Sequence, residues 1–467
     1  MEAQARLGRR QAALASYETL AQKLEEELGV APSLETEQLL AQIQKDEIRA
    51  ADQQPDQSSA PQLPPIEEKE MPLFVGREME LGELGAALQK ACAGQGSLQF
   101  ITGGAGRGKT ALVCEFATRA LAENEELLVL SGQCRGLAGM GAPYLPFRHI
   151  LAQLTGDVNS SAVLGRGQAR RSWEAMPETI PLVVEQGGEL IDALLPGSEL
   201  RRRAATVSSA QTCWFRRLNE RLQRSGGGAP QKEQLFSQVT AVLKAAARKR
   251  PLLLVIEDLH WTDAASAGLL FHLSFELANS RILLLGTYRP EEVHKGDGHP
   301  LARFDSELKR QFGDIWLDLS EKDAAQGRSF VDSYLDSEPN ELGERFRQEF
   351  FTHTGGHALF TVELLRAMQE RGDLHRDQAG IWQALPVVDW DALPARIEGV
   401  IEQRFGRLDP DLQEALSIAA VQGETFAAGI VAEIAGLEER ALVRRLSREV
   451  EKRHRLVEAE GLAWQDG

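Results

Sequence analysis

A chain of 467 residues has room for about three domains at roughly 100–200 residues each. Apolar residues make up 43% and charged residues 26%, the ordinary balance of a globular protein, which excludes general disorder and fibrous repeats. The 52 Lys and Arg against 69 Asp and Glu leave a net charge of −17, so the surface as a whole opposes non-specific contact with nucleic-acid phosphates.

The four cysteines, Cys92, Cys114, Cys134 and Cys213, include no C-x-x-C pair, and neither a zinc site nor a disulfide framework is indicated. Met1 to Arg10 carry Glu2, Arg6, Arg9 and Arg10 and lack the apolar stretch of a secretory signal. No apolar run approaches the ~18 residues of a spanning helix. The chain reads as soluble and cytoplasmic, with no membrane partner.

From Gly8 to about Ile43 apolar residues recur at helical spacing (Ala12, Leu14, Tyr17, Leu20, Leu24, Leu28). Gly29 and Pro32 interrupt them, and Ser33 caps a second run with Leu34, Leu39, Leu40 and Ile43, which makes a helical hairpin over residues 1–48. Residues 49–70 are rich in Gln, Pro, Ser and acid, the composition of a solvated linker. Five short apolar runs follow: Ser97–Thr102, Leu127–Gly132, Leu252–Ile256, Ile282–Thr287 and Ile315–Leu319. Helical stretches separate them, which predicts a parallel sheet with helices on both faces. Over a hundred residues with helix-like segments lie between the second and third runs. They include the Gly-rich break at Ser225 and the cluster Arg201-Arg202-Arg203, which reads as a solvated helix face. The α/β core is placed at residues 71–295. After about residue 321 strand signals vanish, and residues 296–395 read as a helical lid.

Gly103-Gly104-Ala105-Gly106-Arg107-Gly108-Lys109-Thr110 fits G-x-x-x-x-G-K-[ST] between a buried strand and a helix running to about Leu121. The glycines let backbone N–H groups turn toward phosphates, and the helix N-terminus favours negative charge there. Lys109 is expected to bridge the β and γ phosphates, and Thr110 to give its hydroxyl to Mg²⁺. The third apolar run ends in Glu257 and Asp258. Carboxylates there are costly unless paired, so Glu257 is expected to hold Mg²⁺, directly or through water, and Asp258 to orient the attacking water. Thr262 or Asp263 can cap the next helix, and Trp261 reads as core packing. The fourth run ends in Thr287-Tyr288-Arg289, and Arg289 is a candidate sensor of the γ-phosphate. His149, His272, His294, His299, His353, His375 and His454 lack any H-x-x-x-H or triad context and read as structural or exposed. The absence of an [NT]-K-x-D motif favours adenine over guanine, hence ATP or ADP.

Phe74-Val75-Gly76-Arg77-Glu78, the phosphate loop, Glu257 to Asp263 and Gly286 to Pro290 together resemble the large signalling ATPases of the STAND class, with an AAA-type, Orc1-like ATPase module. The likeness covers residues 72 to 440 and implies a P-loop NTPase fold in an α/β core with all-α flanking regions. It also implies an adenine pocket lined by Phe74, Val75 and Arg77. Two departures stand out: Glu257 occupies a place more often held by Asp, and Gly355-Gly356-His357-Ala358 replaces Gly-Gly-Asn-Pro. Residues 8 to 43 resemble the last helices of the bacterial transcriptional activator domain, a TPR-like module, which implies a DNA-reading winged helix ahead of them in a full regulator. Residues 396–467 read as an incomplete winged-helix-like region, with a strand starting at Leu456 and arginines interspersed with acids.

The resulting expectation is an ATP-dependent signalling switch that binds nucleotide with Mg²⁺ and hydrolyses it slowly, acting on other proteins through helical modules and not on DNA directly. A phosphotransferase using the same loop and a nucleotide-binding scaffold without turnover are the alternatives. The sequence leaves the oligomeric state open, a nucleotide-dependent oligomer included.

Overall fold

The computed structural model describes residues 74–135, 143–157, 165–208, 212–223, 231–294, 298–390, 393, 397–423, 426–451 and 456–457. The expected N-terminal hairpin and linker lie outside the described residues, as does the Gly-rich break after Ser225.

Five strands, β1 (Ser97–Thr102), β2 (Leu128–Gln133), β3 (Leu252–Glu257), β4 (Ile282–Tyr288) and β5 (Trp316–Asp318), form one sheet in the order β2-β3-β4-β1-β5. Every pairing is parallel. These are the five apolar runs of the sequence, each matched to within about one residue. β3 and β4 are buried along their whole length, as strands at the centre of a two-faced parallel sheet must be. Alternation along each strand divides the side chains between two cores. Phe100, Leu130, Leu252, Leu254, Ile256 and Leu284 lie in one, and Ile101, Val129, Leu253, Val255, Leu283 and Leu285 in the other. Each such side chain contributes roughly 1.5–3 kcal/mol when fully buried.

Helices α1 (Glu78–Cys92) and α2 (Lys109–Glu123) cover the second face through Leu84, Leu88, Leu112 and Phe116. The crossover from β2 to β3 carries α3 (Leu145–Leu154), α4 (Arg166–Gln186), α5 (Gly197–Val207), α6 (Cys213–Gln223) and α7 (Lys232–Lys249). Together with α8 (Ala264–Phe275) they build the core on the first face. Arg201 and Arg202 are exposed, as expected of a solvated face, but Arg203 is buried. It follows Leu200 by three residues and so falls on the buried stripe of α5, where it pairs with Asp157 at 3.6 Å and Thr155 Oγ1 at 3.3 Å.

The sheet takes its last strand, β5, from beyond residue 295, after α9 (Ala302–Phe312), so part of the segment assigned to the lid belongs to the core. A separate helical body follows: α10 (Leu319–Leu335), α11 (Glu344–Thr354) and α12 (Ala358–Arg371), packed around Val331, Phe350, Leu364 and Met368. Strands do reappear after residue 321, as the antiparallel pair β6 (Leu374–Arg376) and β7 (Trp382–Ala384). Strands of three residues are too short to show an alternation in sequence. Beyond them α13 (Ile397–Gly406), α14 (Pro410–Gln422), α15 (Ala428–Ala435) and α16 (Glu439–Arg445) follow, and Leu412, Ala415, Val431, Leu442 and Val450 form a further core. Of the strand expected from Leu456, only Leu456 and Val457 are described, and neither lies in a strand.

β2 is an edge strand, and an open edge exposes unpaired backbone groups. Gln153 of α3 covers this one, accepting from Ser131 N at 2.9 Å and donating to Ser131 O at 2.6 Å. The approach requires glycine next door: a Cβ at Gly132 would lie 2.2 Å from the carbonyl oxygen of Pro146. Gly132→Ala is therefore expected to cost about 1–3 kcal/mol, read as a lower denaturation midpoint. Gly82→Ala, where a Cβ meets open space inside α1, should be neutral or stabilising.

Candidate nucleotide site

β1 ends at Thr102, the chain turns through Gly103–Gly108, and α2 starts at Lys109. Gly106 and Gly108 have φ of +70° and +83°, left-handed values that a side chain would strain. Lys109 is only 7% exposed. Its Nζ donates to the carbonyls of Gly103 at 2.8 Å and Gly104 at 2.9 Å, so the loop itself satisfies the buried ammonium. Burial, and after it the Arg289 cation, pulls the Lys109 pKa down, while Asp258, Glu291 and Glu292 oppose the shift. All four charged side chains thus act on the space around the ammonium.

β3 delivers Glu257 beneath the loop, where its side chain is buried and its Oε2 accepts from Thr110 Oγ1 at 3.0 Å. Its Oε1 is buried without a partner. Burial pushes this carboxyl up to about 8, against the Thr110 hydrogen bond and with the help of neighbouring Asp258. A buried carboxylate oxygen with no partner, next to a hydroxyl at the foot of a phosphate loop, fits a divalent cation shared by Thr110 and Glu257.

Asp258 follows in the left-handed region at φ +56°. Its N–H donates to Thr287 Oγ1 at 3.1 Å, and its Oδ2 accepts from Gln133 Nε2 at 3.2 Å. Gln133, Asp258 and Thr287 stand at or just past the C-terminal ends of three adjacent parallel strands, the edge where open α/β sheets bind ligands. Gln133 was not singled out by sequence, although a polar residue closing an apolar strand was the available signal. Beyond β4, Arg289 Nη1 pairs with Glu292 Oε1 at 2.7 Å, while Arg289 Nε is buried without a partner. His260 is buried beside them. Its Nδ1 lies 4.0 Å from Asp258 Oδ1 and its Nε2 3.8 Å from Glu292 Oε2, and burial lowers its pKa. Trp261, expected in the core, is 44% exposed. The tight turn Leu259–Trp261 sends Leu259 and His260 inward and leaves the indole outside. Asp263 is the cap of α8, accepting from Ala265 N at 2.8 Å and Ser266 N at 2.9 Å.

The first turn of α12 and its cap residue His357 reach the phosphate loop directly. Leu359 N–H donates to Gly106 O at 3.0 Å, and His357 Nε2 lies 3.0 Å from Ala105 O. A Cβ at Gly106 would come within 2.8 Å of both His357 Cε1 and Leu359 Cβ. His357, which departs from the family pattern, is therefore in contact with the loop. From the other side, Arg77 pairs with Glu80 at 3.2 Å and reaches Arg107 O at 3.4 Å. Phe74 and Val75 are half-buried, Phe74 against the core of the second face. The structure thus brings Lys109, Thr110, Glu257, Asp258 and Arg289 together, with Arg77 on the flank of the loop.

Residues 73–285 match the family of AAA ATPase domains, and residues 1–44 match the bacterial transcriptional activator domain. The two matches fit an AAA-type ATPase with a bacterial transcriptional activator domain at its N-terminus. AAA ATPase domains bind nucleotide, and the glycine loop with Lys109 and Thr110 lies within the matched residues. An uncharacterized protein of Rhizobium meliloti is 28% identical over 219 residues, which is 46% of this chain but 18% of that protein. The chain thus spans less than a fifth of that relative's length. The Aeropyrum pernix Orc1 protein, solved in complex with DNA, aligns over 80% of this chain and 83% of its own at 13% identity. The TM-score of that alignment is 0.34.

Glu257 also makes the stability of the ATPase domain depend on pH. A carboxyl held at a raised pKa in the folded state leaves stability intact below its ordinary value near 4.5 and erodes it as the pH climbs from there through about 8. In Mg²⁺-free buffer containing a chelator, Glu257→Gln is expected to melt above the wild type by several degrees at pH 9. The gap should close by about pH 4.5.

Proposed function

We propose that this chain is an ATP-driven switch of a bacterial transcriptional regulator, placed in the cytoplasm and turning over slowly. The observation that carries the reading is the joining of Lys109, Thr110, Glu257 and Asp258 under one glycine loop, in a chain matching an activator domain and an AAA ATPase domain. Lys109 would leave the carbonyls of Gly103 and Gly104 for the β and γ phosphates, exchanging neutral acceptors for charged ones. Thr110 and Glu257 would hold Mg²⁺, which supplies charge neutralisation along the phosphates when bound. Asp258, held at one oxygen by Gln133, would orient the attacking water, and Arg289 would meet the γ-phosphate. The contacts of His357 and Leu359 with the loop support a coupling between nucleotide state and the helical body behind α12. Output through helical modules onto other proteins, and a nucleotide-dependent oligomer, are consistent with that coupling. Among the described residues no helix is long and apolar enough to cross a membrane.

Titration of the purified protein with Mg-ATP and Mg-ADP tests the reading. Both are expected to bind to the wild type and neither to Lys109→Ala; equal affinities in the two proteins would defeat the phosphate-loop assignment. Turnover should run without any added acceptor, well below the ~1–100 s⁻¹ of kinases, since a switch must dwell in its states. Turnover only with an acceptor would favour a phosphotransferase. Asp258→Asn is expected to keep binding and lose turnover, and normal hydrolysis by that variant would move the water-positioning role elsewhere. With a net charge of −17, this chain by itself is expected to show no sequence-selective retention of DNA at physiological salt, with or without ATP. A mobility-shift series over salt concentration checks this.

A further inference from the structure

Arg289 already meets a carboxylate. Its Nη1 donates to Glu292 Oε1 at 2.7 Å, with both side chains about a quarter to a third exposed. Its Nε is buried with no acceptor, so the guanidinium is only partly satisfied by this pair. Glu292 sits on the helical turn Pro290–Val293, whose proline fixes the backbone just after Arg289. The other oxygen of Glu292 faces the ring of His260 at 3.8 Å, a ring whose two nitrogens also lack hydrogen-bond partners. A phosphate arriving beside Lys109 offers Arg289 more acceptor oxygens than Glu292 can, in a geometry suited to a fork of N–H donors. It must first displace the carboxylate.

We infer that Glu292 tunes the discrimination between nucleoside triphosphate and diphosphate by competing with the third phosphate for Arg289. This rests on the ATP-switch reading above and on the assignment of Arg289 to the γ-phosphate. A diphosphate leaves the Arg289–Glu292 pair intact and its binding carries no cost of breaking it. A triphosphate gains Arg289 only by opening the pair, and the released carboxylate, partly exposed, turns to water. The pair therefore subtracts from triphosphate affinity alone and keeps the two nucleotides closer in affinity than the phosphate loop would by itself. For a switch that must change state as the cellular ratio of the two nucleotides changes, that is a useful setting.

Glu291 supplies the control. It is an acid of the same turn that acts on the Lys109 ammonium and approaches Gly104, where a Cβ would lie 3.1 Å from its Oε1, yet its partner is not Arg289. Calorimetric titration of Mg-ATP and Mg-ADP reads the ratio of the two dissociation constants in each protein. Glu292→Gln should shift that ratio toward ATP by at least about threefold, with ADP strengthened no more than it is by Glu291→Gln. Glu291→Gln should strengthen both nucleotides alike and leave the ratio where it was. Arg289→Ala should move the ratio toward ADP, and adding Glu292→Gln to it should have no further effect on the ratio. An unchanged ratio in Glu292→Gln, or the same shift in the Arg289→Ala background, overturns the inference. Loss of all nucleotide binding by the wild type would instead overturn the ATP reading itself, so the two failures are distinguishable.

Discussion

Burying an ammonium at the start of a helix is the constraint from which the rest of the site follows. Lys109 sits where α2 already presents free N–H groups, so it can remain buried only if carbonyls or anions surround it. The loop supplies carbonyls by folding back over it, which the left-handed glycines at 106 and 108 permit. The next residue, Thr110, then faces the end of β3 and bonds Glu257, so helix, loop and central strand are fixed to one another at a single point. With the Glu257 carboxyl held neutral by burial, such a hydrogen bond contributes about 0.5–1.5 kcal/mol. Removing one partner there would leave a buried polar group exposed to the full desolvation penalty.

The same helix is held at its far end from the crossover insertion. Arg171 of α4 donates to the carbonyls of Asn124 at 2.5 Å and Leu127 at 3.3 Å, and to that of Leu121, where a positive charge complements the helix dipole. At its near end the loop is contacted by His357 and Leu359 from the helical body. The crossover insertion and the helical body therefore both bear on α2 and its loop, which is what the proposed switch would need: one element that more than one site can bias.

The charges beyond β4 add a second layer. Asp258, Arg289, Glu291 and Glu292 all act on Lys109, and His260 lies buried between two of the acids. Four acids and two cations share the crevice, Glu257 among the acids, and among its ion pairs described above Arg289–Glu292 is the close one. Nucleotide phosphates would enter a site whose cations are held by groups they can displace, so binding and local rearrangement are one event.

Local sequence determined a good deal of this. The five apolar runs, the glycine loop opening a helix, and the polar ends of β3 and β4 are written in short stretches, because burial on both faces demands unbroken apolar strands and phosphate loops demand glycine. Tertiary structure decided what those stretches could not. Pro177 and Pro181 lie inside α4, where propensity alone would end the helix, and packing of Met176, Ile180 and Val183 overrides the missing N–H groups. The burial of Arg203, the outward turn of Trp261, the pairing of Gln133 with Asp258 and the hold of Glu292 on Arg289 each join residues with their surroundings through space. No periodicity carries them, since they arise from which strand ends become neighbours in the order β2-β3-β4-β1-β5, and that order is set by the sheet as a whole.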